Sequence, residues 1–319
     1  MKNNLLNRFK KPSIGLVLAP GGARISYQLG VLLALKKHGL YDEVIAISSG
    51  SAGAFSAIFY TFNELTDAIN LYAKVTTSMI LTPKTDLLSK IPLAGGALYS
   101  RVGLIKLIND NIQNLHNQLS DKLPIYVSLA QKIKEGRKKT YIPTYIKLND
   151  YAHKDILALL LATTAIPGIF DEVKFEDNTY VDCMKADDEP YAPLMSYDFD
   201  MLFIIPLKDS HYSKDYSKLS KPIVDFGFDQ IMKQKNETIL DFNTSNIEPN
   251  ISLGYQVADL ILKEMKKKKV LHKLTSKQLK SIEKSIYSLK TLNIDEDQIK
   301  SSNISLDDII NEVRTGKTK

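Results

Sequence analysis

The chain has a single cysteine and no long hydrophobic run, and each shortage excludes a class of protein. Because Cys183 is alone among 319 residues, a disulfide framework is excluded and a reducing compartment is expected. No apolar run approaches the ~18 residues that a membrane-spanning helix needs. The apolar residues 14–19 follow Lys10 and Lys11, but this run is too short for a signal peptide. We therefore expect a cytoplasmic protein that meets membranes only from the side.

Positive charge is concentrated near the C-terminus. The whole chain carries a net charge of +6, whereas residues 263–290 alone hold ten lysines against two glutamates. Apolar residues recur among these lysines at helical spacing, and Thr275 with Gln278 forms a capping box that predicts a helix from Ser276. Such a segment is either a solvated helix face or a surface that attracts anionic lipid headgroups. Nucleic-acid binding is not expected, because interleaved aromatic and arginine residues are missing here.

The rest of the sequence divides into a short lead-in, a core and an extension. Residues 1–12 form a basic lead-in, residues 13–206 alternate strand and helix patterns, and residues 207–319 form a polar connection followed by a helical C-terminal extension. Within the core, strands are predicted near residues 14–18, 44–48, 124–129, 141–147, 178–182 and 201–206, and helices near 26–38, 52–74, 103–118 and 154–164. This alternation predicts an α/β fold with a mainly parallel sheet covered by helices on both faces.

Residues 76–103 carry more apolar side chains than a solvated loop needs. A membrane-facing cap over an acyl pocket and ordinary packing onto the core both fit this composition.

A strand-like run ends in a cluster of small residues around Ser51. The apolar residues 44–47 lead into Ser48-Ser49-Gly50-Ser51-Ala52-Gly53, and a helix-compatible segment follows. This order is typical of a nucleophile elbow, G-x-S-x-G, in which Gly53 supplies the second glycine and Ser49 replaces the first. The turn of an elbow strains the serine backbone and exposes its hydroxyl. Taken alone, the window also fits a tight strand–helix connection without chemistry.

A glycine turn lies about 30 residues before this elbow. Residues 20–24, Pro-Gly-Gly-Ala-Arg, stand between a buried strand pattern and a helix pattern. Backbone N–H groups at such a turn hold anions, either a phosphate or the oxyanion of an acyl-transfer intermediate. Neither the G-K-[ST] nor the G-x-G-x-x-G spacing of phosphate loops is present. An oxyanion hole that precedes an elbow serine is therefore the better interpretation.

A third segment completes a recognisable set. Residues 162–170, Ala-Thr-Thr-Ala-Ile-Pro-Gly-Ile-Phe, precede a short strand pattern that ends at Asp182, and strand ends are where α/β folds place catalytic groups. Together the segments resemble the patatin-like phospholipase family, with its G-G-G-x-R-G loop, G-x-S-x-G elbow, A-S-x-A-[IL]-P-x-x-F stretch and D-G-[GA] aspartate. The resemblance covers roughly residues 13–206, and three motifs in order are far more specific than one.

Every departure from the family pattern falls where the family prefers glycine. The substitutes are Pro20, Ile25, Ser49, Cys183 and Met184. Glycine permits positive φ or close backbone approach, so each substitute restricts the backbone, and proline also removes an N–H. The nucleophile and the aspartate themselves are intact.

The resemblance implies a lipid acyl hydrolase of phospholipase, lysophospholipase or esterase type that needs no metal or organic cofactor. Ser51 would attack an ester carbonyl and Asp182 would take its proton, which gives a Ser–Asp dyad and an acyl-enzyme intermediate. The N–H groups of Gly21, Gly22 and Ala23 would form the oxyanion hole, with Arg24 adding charge or holding the loop. The implied partners are a phospholipid or other acyl ester and an anionic membrane surface, met peripherally on its inner face.

Two alternatives remain open at this point. His211 or His272 could complete a Ser–His–Asp triad, although neither lies in a segment typical of a strand end, and we expect both to be satisfied surface histidines. A non-catalytic patatin-fold protein that binds lipids or acyl groups is the second alternative, because of the lost glycines.

Overall fold

The computed structural model describes residues 10–84, 97–112, 119–136, 138–216, 219–234, 239–272, 286–300 and 304–315. In this part of the chain, helices surround a nine-stranded, mostly parallel sheet. The predicted α/β class, with a mainly parallel sheet and helices at the C-terminus, is therefore confirmed. The helix predicted from Ser276 lies outside the described residues.

The strands, in chain order, are β1 (Ile14–Leu18), β2 (Val44–Gly50), β3 (Thr82–Pro83), β4 (Tyr99–Ser100), β5 (Ile125–Glu135), β6 (Lys138–Lys147), β7 (Val173–Phe175), β8 (Asn178–Asp182), β9 (Met201–Ile205), β10 (Ile223–Asp225) and β11 (Ile286–Tyr287). The helices are α1 (Ile25–Lys37), α2 (Gly53–Thr61), α3 (Leu65–Tyr72), α4 (Thr77–Ile80), α5 (Val102–Asn111), α6 (His153–Thr163), α7 (Asp229–Met232), α8 (Thr244–Lys267), α9 (Asp297–Lys300) and α10 (Leu306–Thr315). Strands β3 and β4 form a separate antiparallel pair.

The centre of the sheet consists of parallel strands in the order β11-β10-β9-β1-β2-β5. Strands β1 and β9 are buried along their whole length, which explains their nearly continuous apolar sequences. Strands β6, β7 and β8 are antiparallel to their neighbours. The segment after residue 206 thus adds two strands to the sheet, in addition to its helices.

Strand β5 aligns two other strands end to end. One side of β5 pairs with β6 throughout, and its opposite side is shared by β2 and β8. Gly50, the last residue of β2, lies opposite Ser128, and Asp182, the last residue of β8, lies opposite Leu129. Because β2 and β8 run in opposite directions, their C-terminal ends meet. Ser51 follows β2 directly and therefore lies beside Asp182.

The larger hydrophobic core lies between the sheet and the long helices. Helix α1 is buried from Ile25 to Leu35, and α8 packs against it through residues that include Ile251, Tyr255 and Ile261. The opposite face of the central strands packs against the 3-10 helix Ala192–Ser196 and its surroundings. None of the described helices is both long and apolar enough to cross a bilayer.

Some element bounds differ from the sequence-based expectation. The helix expected over residues 52–74 is two helices, α2 and α3, because the chain turns at Asn63, whose φ is +61°. The helix expected over residues 103–118 begins at Val102 and ends at Asn111, and residues 113–118 lie outside the described part. Strand β6 starts three residues earlier than expected and forms a long hairpin with β5.

Candidate active site

Ser51 and Asp182 meet in a buried hydrogen bond. Ser51 stands in the turn between β2 and α2 with φ +50°, a left-handed conformation that is uncommon for a residue other than glycine. Its Oγ donates to Asp182 Oδ2 over 2.7 Å. The exposed fractions of the two residues are only 5% and 1%. The structure therefore brings the two expected residues together and places strain at the serine backbone.

Thr163 fixes the strained backbone of Ser51. The Ser51 N–H donates to Thr163 Oγ1 over 2.8 Å, and the Thr163 hydroxyl donates to the carbonyl of Ser128 over 2.7 Å. Thr163 ends helix α6, so one buried hydroxyl ties the elbow, α6 and β5 together. Sequence reasoning placed Thr163 in a motif but gave it no role. The family pattern, which has a hydroxyl residue at this position, was the available signal.

The Asp182 carboxyl has a higher pKa than an aspartate in water. Burial raises its pKa to about 6, because loss of water disfavours the charged form. The Met184 N–H, which donates to Oδ1 over 3.0 Å, opposes this shift, as do the Ser51 hydroxyl and the charge of Lys208. The aspartate also caps the 3-10 helix Cys183–Lys185. Met184 thus contributes through its backbone N–H, which does not require a glycine.

Gly50 accommodates two of the departures from the family pattern. A Cβ on Gly50 would lie 2.5 Å from Cys183 Sγ and 3.3 Å from Pro20 Cδ. Real side chains do not approach this closely, so the missing Cβ makes the room that Cys183 requires. Ser49, which replaces the first elbow glycine, is fully buried and donates its hydroxyl to the Tyr126 carbonyl over 3.1 Å. Gly53 is the first residue of α2, as expected for the elbow.

The glycine turn opens helix α1 through a short 3-10 helix, Gly22–Arg24. Gly22 has φ +54°, and a Cβ there would overlap the carbonyl of Ile239. Gly22 lines the same pocket as Ser51, whereas Ala23 and Arg24 line a separate polar recess. Because the first N–H groups of a helix have no acceptor within it, this turn presents donors beside the elbow. Of the expected loop residues, only Gly22 shares a pocket wall with Ser51.

Arg24 holds the glycine turn. Its side chain is buried, and its guanidinium donates to the carbonyls of Leu207 over 2.9 Å and Gln234 over 2.7 Å. Burial lowers the pKa of this guanidinium below its ordinary value. Of the two roles considered for Arg24, charge supply and support of the loop, these contacts favour support.

An apolar pocket leads away from Ser51. Its cavity volume is about 80 Å³, and Thr164 and Tyr72 are the side chains with a polar group in its wall besides Ser51 itself, among the residues described. The wall comes from helices α2 to α5 and from two loop segments, through Phe55, Phe59, Leu71, Tyr72, Val75, Ile80, Leu104, Leu107, Ile108, Ile112, Ile166, Phe170, Ile239, Leu240 and Phe242. Such a wall suits an apolar chain attached to a group that reacts at Ser51.

Neither candidate histidine is placed to serve Ser51. His211 is buried, not on the surface as expected, and its Nδ1 and Nε2 contact Glu189 over 2.6 Å and Asp225 over 2.8 Å. Burial alone would lower its pKa, but the hydrogen bonds with the two carboxylates outweigh burial and raise the pKa to about 10. The ring is thus protonated at neutral pH and cannot accept a proton. His272 lies beyond the lysine-rich end of α8.

Comparison with known proteins identifies the family of the chain. A family model described as patatin-like phospholipase matches residues 16–188, which is more than half of the chain. The chain belongs to the patatin-like phospholipase family. No curated protein sequence is significantly similar to it.

Solved structures to which the chain has low similarity include the following three. VipD from Legionella pneumophila is 13% identical with a TM-score of 0.37, and the match covers 68% of this chain and 51% of VipD. ExoU in its complex with SpcU, from the type III secretion system of Pseudomonas aeruginosa, is 15% identical with a TM-score of 0.32 (86% and 57% covered). A structure of the type III effector ExoU alone is 14% identical with a TM-score of 0.30 (86% and 59%). This chain spans only about half to three fifths of the length of these proteins.

We predict that the Thr163 hydroxyl is required to hold the elbow. Thr163→Val leaves the Ser51 N–H and the Ser128 carbonyl buried without their partner, which should cost about 1–3 kcal/mol in the free energy of unfolding for each unsatisfied group. Thr163→Ser keeps both hydrogen bonds and is the matched control. Urea unfolding of the two variants measures the difference. Equal stability of the valine and serine variants would contradict the role.

Proposed function

We propose that the protein is a serine-dependent lipid acyl hydrolase in which Ser51 is the nucleophile and Asp182 the general base. One observation carries this proposal: the 2.7 Å hydrogen bond between a buried serine in a strained elbow and a buried carboxyl, beside an apolar pocket. Membership of the patatin-like phospholipase family supports lipid hydrolysis in general.

The chemistry follows from the positions of these groups. Ser51 Oγ attacks the ester carbonyl while its proton passes to Asp182 Oδ2, and the negative charge on the carbonyl oxygen is stabilised by N–H groups of the glycine turn, Gly22 first among them. The intermediate collapses, and Asp182 returns the proton to the departing alcohol. Water then attacks the acyl-enzyme while Asp182 takes its proton, the bond between Ser51 Oγ and the acyl group breaks, Asp182 returns the proton to Ser51 Oγ, and the fatty acid leaves. This cycle uses no metal and no organic cofactor.

The desolvation of Asp182 suits it for this task. A carboxylate in water is a weak base for a serine hydroxyl, and burial raises its pKa to about 6, nearer to neutral pH. The carboxyl is thus more basic than in water and still mostly ionised at pH 7.

The pocket defines the substrate class. Its apolar wall accepts the acyl chain of a phospholipid, a lysophospholipid or another acyl ester. We propose a cytoplasmic protein that associates peripherally with an anionic membrane surface on its inner face, helped by the exposed lysines at the end of α8. The alternative of a non-catalytic acyl-binding protein rests on the lost glycines, and the room that Gly50 provides for Cys183 weakens it.

A serine-reactive fluorophosphonate probe should label Ser51 in the native protein. The reason is that, among the serines of the described residues, only Ser51 combines a strained elbow backbone with a carboxyl partner. Mass spectrometry of the labelled peptide identifies the modified residue, and Ser51→Ala and Ser49→Ala serve as test and control. Labelling that survives in Ser51→Ala would overturn the assignment.

Asp182→Asn should reduce the turnover of a soluble short-chain ester by about 10²–10⁴-fold, as expected when a general base is lost. Asp187→Asn and Asp188→Asn are the matched controls, because these neighbouring carboxylates bind Tyr145, Lys214 and Ser210 instead of Ser51. Circular dichroism and thermal unfolding check that each variant is folded. A control variant that loses as much activity as Asp182→Asn would refute the role of Asp182.

The rate should depend on pH through Asp182. Since the base acts as a carboxylate, kcat/KM should fall as pH decreases through about 6, the pKa of this carboxyl. Lys208 lowers that pKa through its charge, so Lys208→Gln should move the midpoint of the profile to higher pH. Lys221→Gln, which removes a charge paired with Asp198, is the control. An unchanged midpoint in Lys208→Gln would show that another group governs the profile.

A further inference from the structure

The exposed lysines at the end of α8 lie far from Ser51. Lys266 Nζ donates to the carbonyl of His38 over 3.4 Å, and Lys11 Nζ donates to the carbonyl of Gly39 over 2.6 Å. His38 and Gly39 follow α1 and precede β2, so they lie at the end of the sheet where the parallel strands begin. Ser51 follows the opposite end of β2. The seven residues of β2, at about 3.3 Å each, separate these two ends of the sheet by about 20 Å.

A cluster of exposed apolar side chains lies on the Ser51 side. Met79, Leu98 and Val102 are exposed by 41%, 41% and 68% respectively, and we call them the apolar rim. Their segments are in contact: the Met79 carbonyl packs against Gly103, next to Val102, and β3 pairs with β4 just after Leu98. The rim is therefore one surface, although its residues come from three segments.

The apolar rim lies next to residues of the pocket wall. Ile80 and Leu104, which line the pocket, come one and two residues after Met79 and Val102 in the chain. The Leu98 N–H donates to the carbonyl of Gly168 over 3.1 Å, and Ile166, in the same loop, also lines the pocket. Ile80 and Ile166 are partly exposed, so apolar side chains of the described residues connect the rim with the pocket wall.

Two of the described cations near the rim, Lys84 and Arg101, are bound by the protein itself, whereas Lys106, one helical turn after Val102, is exposed. Lys84 Nζ lies 2.6 Å from Asp171 Oδ2. The Arg101 guanidinium donates to the carbonyls of Leu161 and Asp171 and lies over the Phe170 ring, 5.3 Å from its centroid. The rim thus offers apolar area beside two cations that the protein already engages, which suits the interface of a lipid bilayer better than an acidic protein partner.

We infer that the apolar rim enters the bilayer surface during turnover, and that binding through the lysines of α8 alone is unproductive. This inference rests on the proposed function. An ester in a bilayer reaches Ser51 when the pocket entrance faces the lipid, which requires the rim to be the contact surface. When the lysines at the opposite end of the sheet lie on a flat membrane, the entrance of the pocket faces water. The lysines then determine how long the protein stays on the membrane, and the rim determines the rate of hydrolysis.

The experiment compares two sets of variants on two substrates. The rim variant is Met79→Ser/Leu98→Ser/Val102→Ser, and the charge variant is Lys266→Gln/Lys267→Gln/Lys268→Gln/Lys269→Gln. Ile142→Ser and Met195→Ser, which remove apolar side chains of similar exposure elsewhere, are matched controls. Each protein is assayed on phosphatidylcholine vesicles with and without phosphatidylserine, and on a soluble short-chain ester.

The rim variant should lose at least 10-fold in vesicle hydrolysis at every salt concentration and keep its kcat/KM on the soluble ester. The charge variant should bind phosphatidylserine vesicles less tightly at low salt, because this attraction is screened within a Debye length, yet hydrolyse them at least as fast as the wild type. The two serine controls should behave as the wild type. The single variant Val102→Ser, at the most exposed rim position, replaces the triple variant if that fails to fold.

Three results would overturn the inference. One is vesicle hydrolysis by the rim variant at the wild-type rate. Another is an equal loss of kcat/KM on the soluble ester by the rim variant, which would show that the rim residues contribute to the pocket itself. The third is a charge variant that loses vesicle hydrolysis as strongly as the rim variant.

Vesicle flotation separates this inference from the proposed function. If the wild type hydrolyses neither substrate, the proposed function fails. The rim is then judged by binding alone, with Ser51→Ala as the background. Salt-insensitive binding to phosphatidylcholine vesicles that disappears with the rim substitutions supports the docking surface, and binding that persists refutes it.

Discussion

The structure depends on one carboxyl group that has left water and has a serine hydroxyl as its closest partner. Such a group is costly to bury, and its cost is limited by the hydrogen bonds that reach it. Asp182 receives one from Ser51 and one from the Met184 N–H, while Lys208 contributes only through its charge. The register of β5, the 3-10 turn after β8 and the hydroxyl of Thr163 all serve to keep these donors in place.

The sequence predicted those parts of the fold in which local pattern and burial agree. Strands β1 and β8 have the expected bounds, and α1 and α6 agree to within one residue, because each combines a clear apolar pattern with a marked end. The three-residue β10 and two-residue β11 are too short to produce a periodicity. The sequence also did not predict that β2 and β8 meet along one side of β5, because strand pairing depends on residues that are far apart in the chain.

At the candidate site, the sequence singled out two residues that the structure brings together, Ser51 and Asp182, but could not weigh the departures from the family pattern around them. Cys183 and Pro20, taken singly, each look like an obstacle where glycine is preferred. In space both face Gly50, whose missing Cβ leaves room for them. Similarly, Arg24 suggested a charge for the oxyanion, whereas its guanidinium is directed to the carbonyls of Leu207 and Gln234. Steric coupling between distant segments and the direction of a long side chain are properties of the fold.

The sharing of one side of β5 by β2 and β8 affects when, during folding, Ser51 and Asp182 come together. Ser51 and Asp182 are 131 residues apart, and no local segment contains both. Their contact exists only after β5 has paired with β2 on one stretch and with β8 on the next, and such long-range pairings form late in folding. A nascent chain therefore contains Ser51 well before the Asp182 carboxyl can lie beside it. Separation of β8 from β5 would part the two residues and detach β7 together with β8, while the pairing of the other seven strands would stay unchanged.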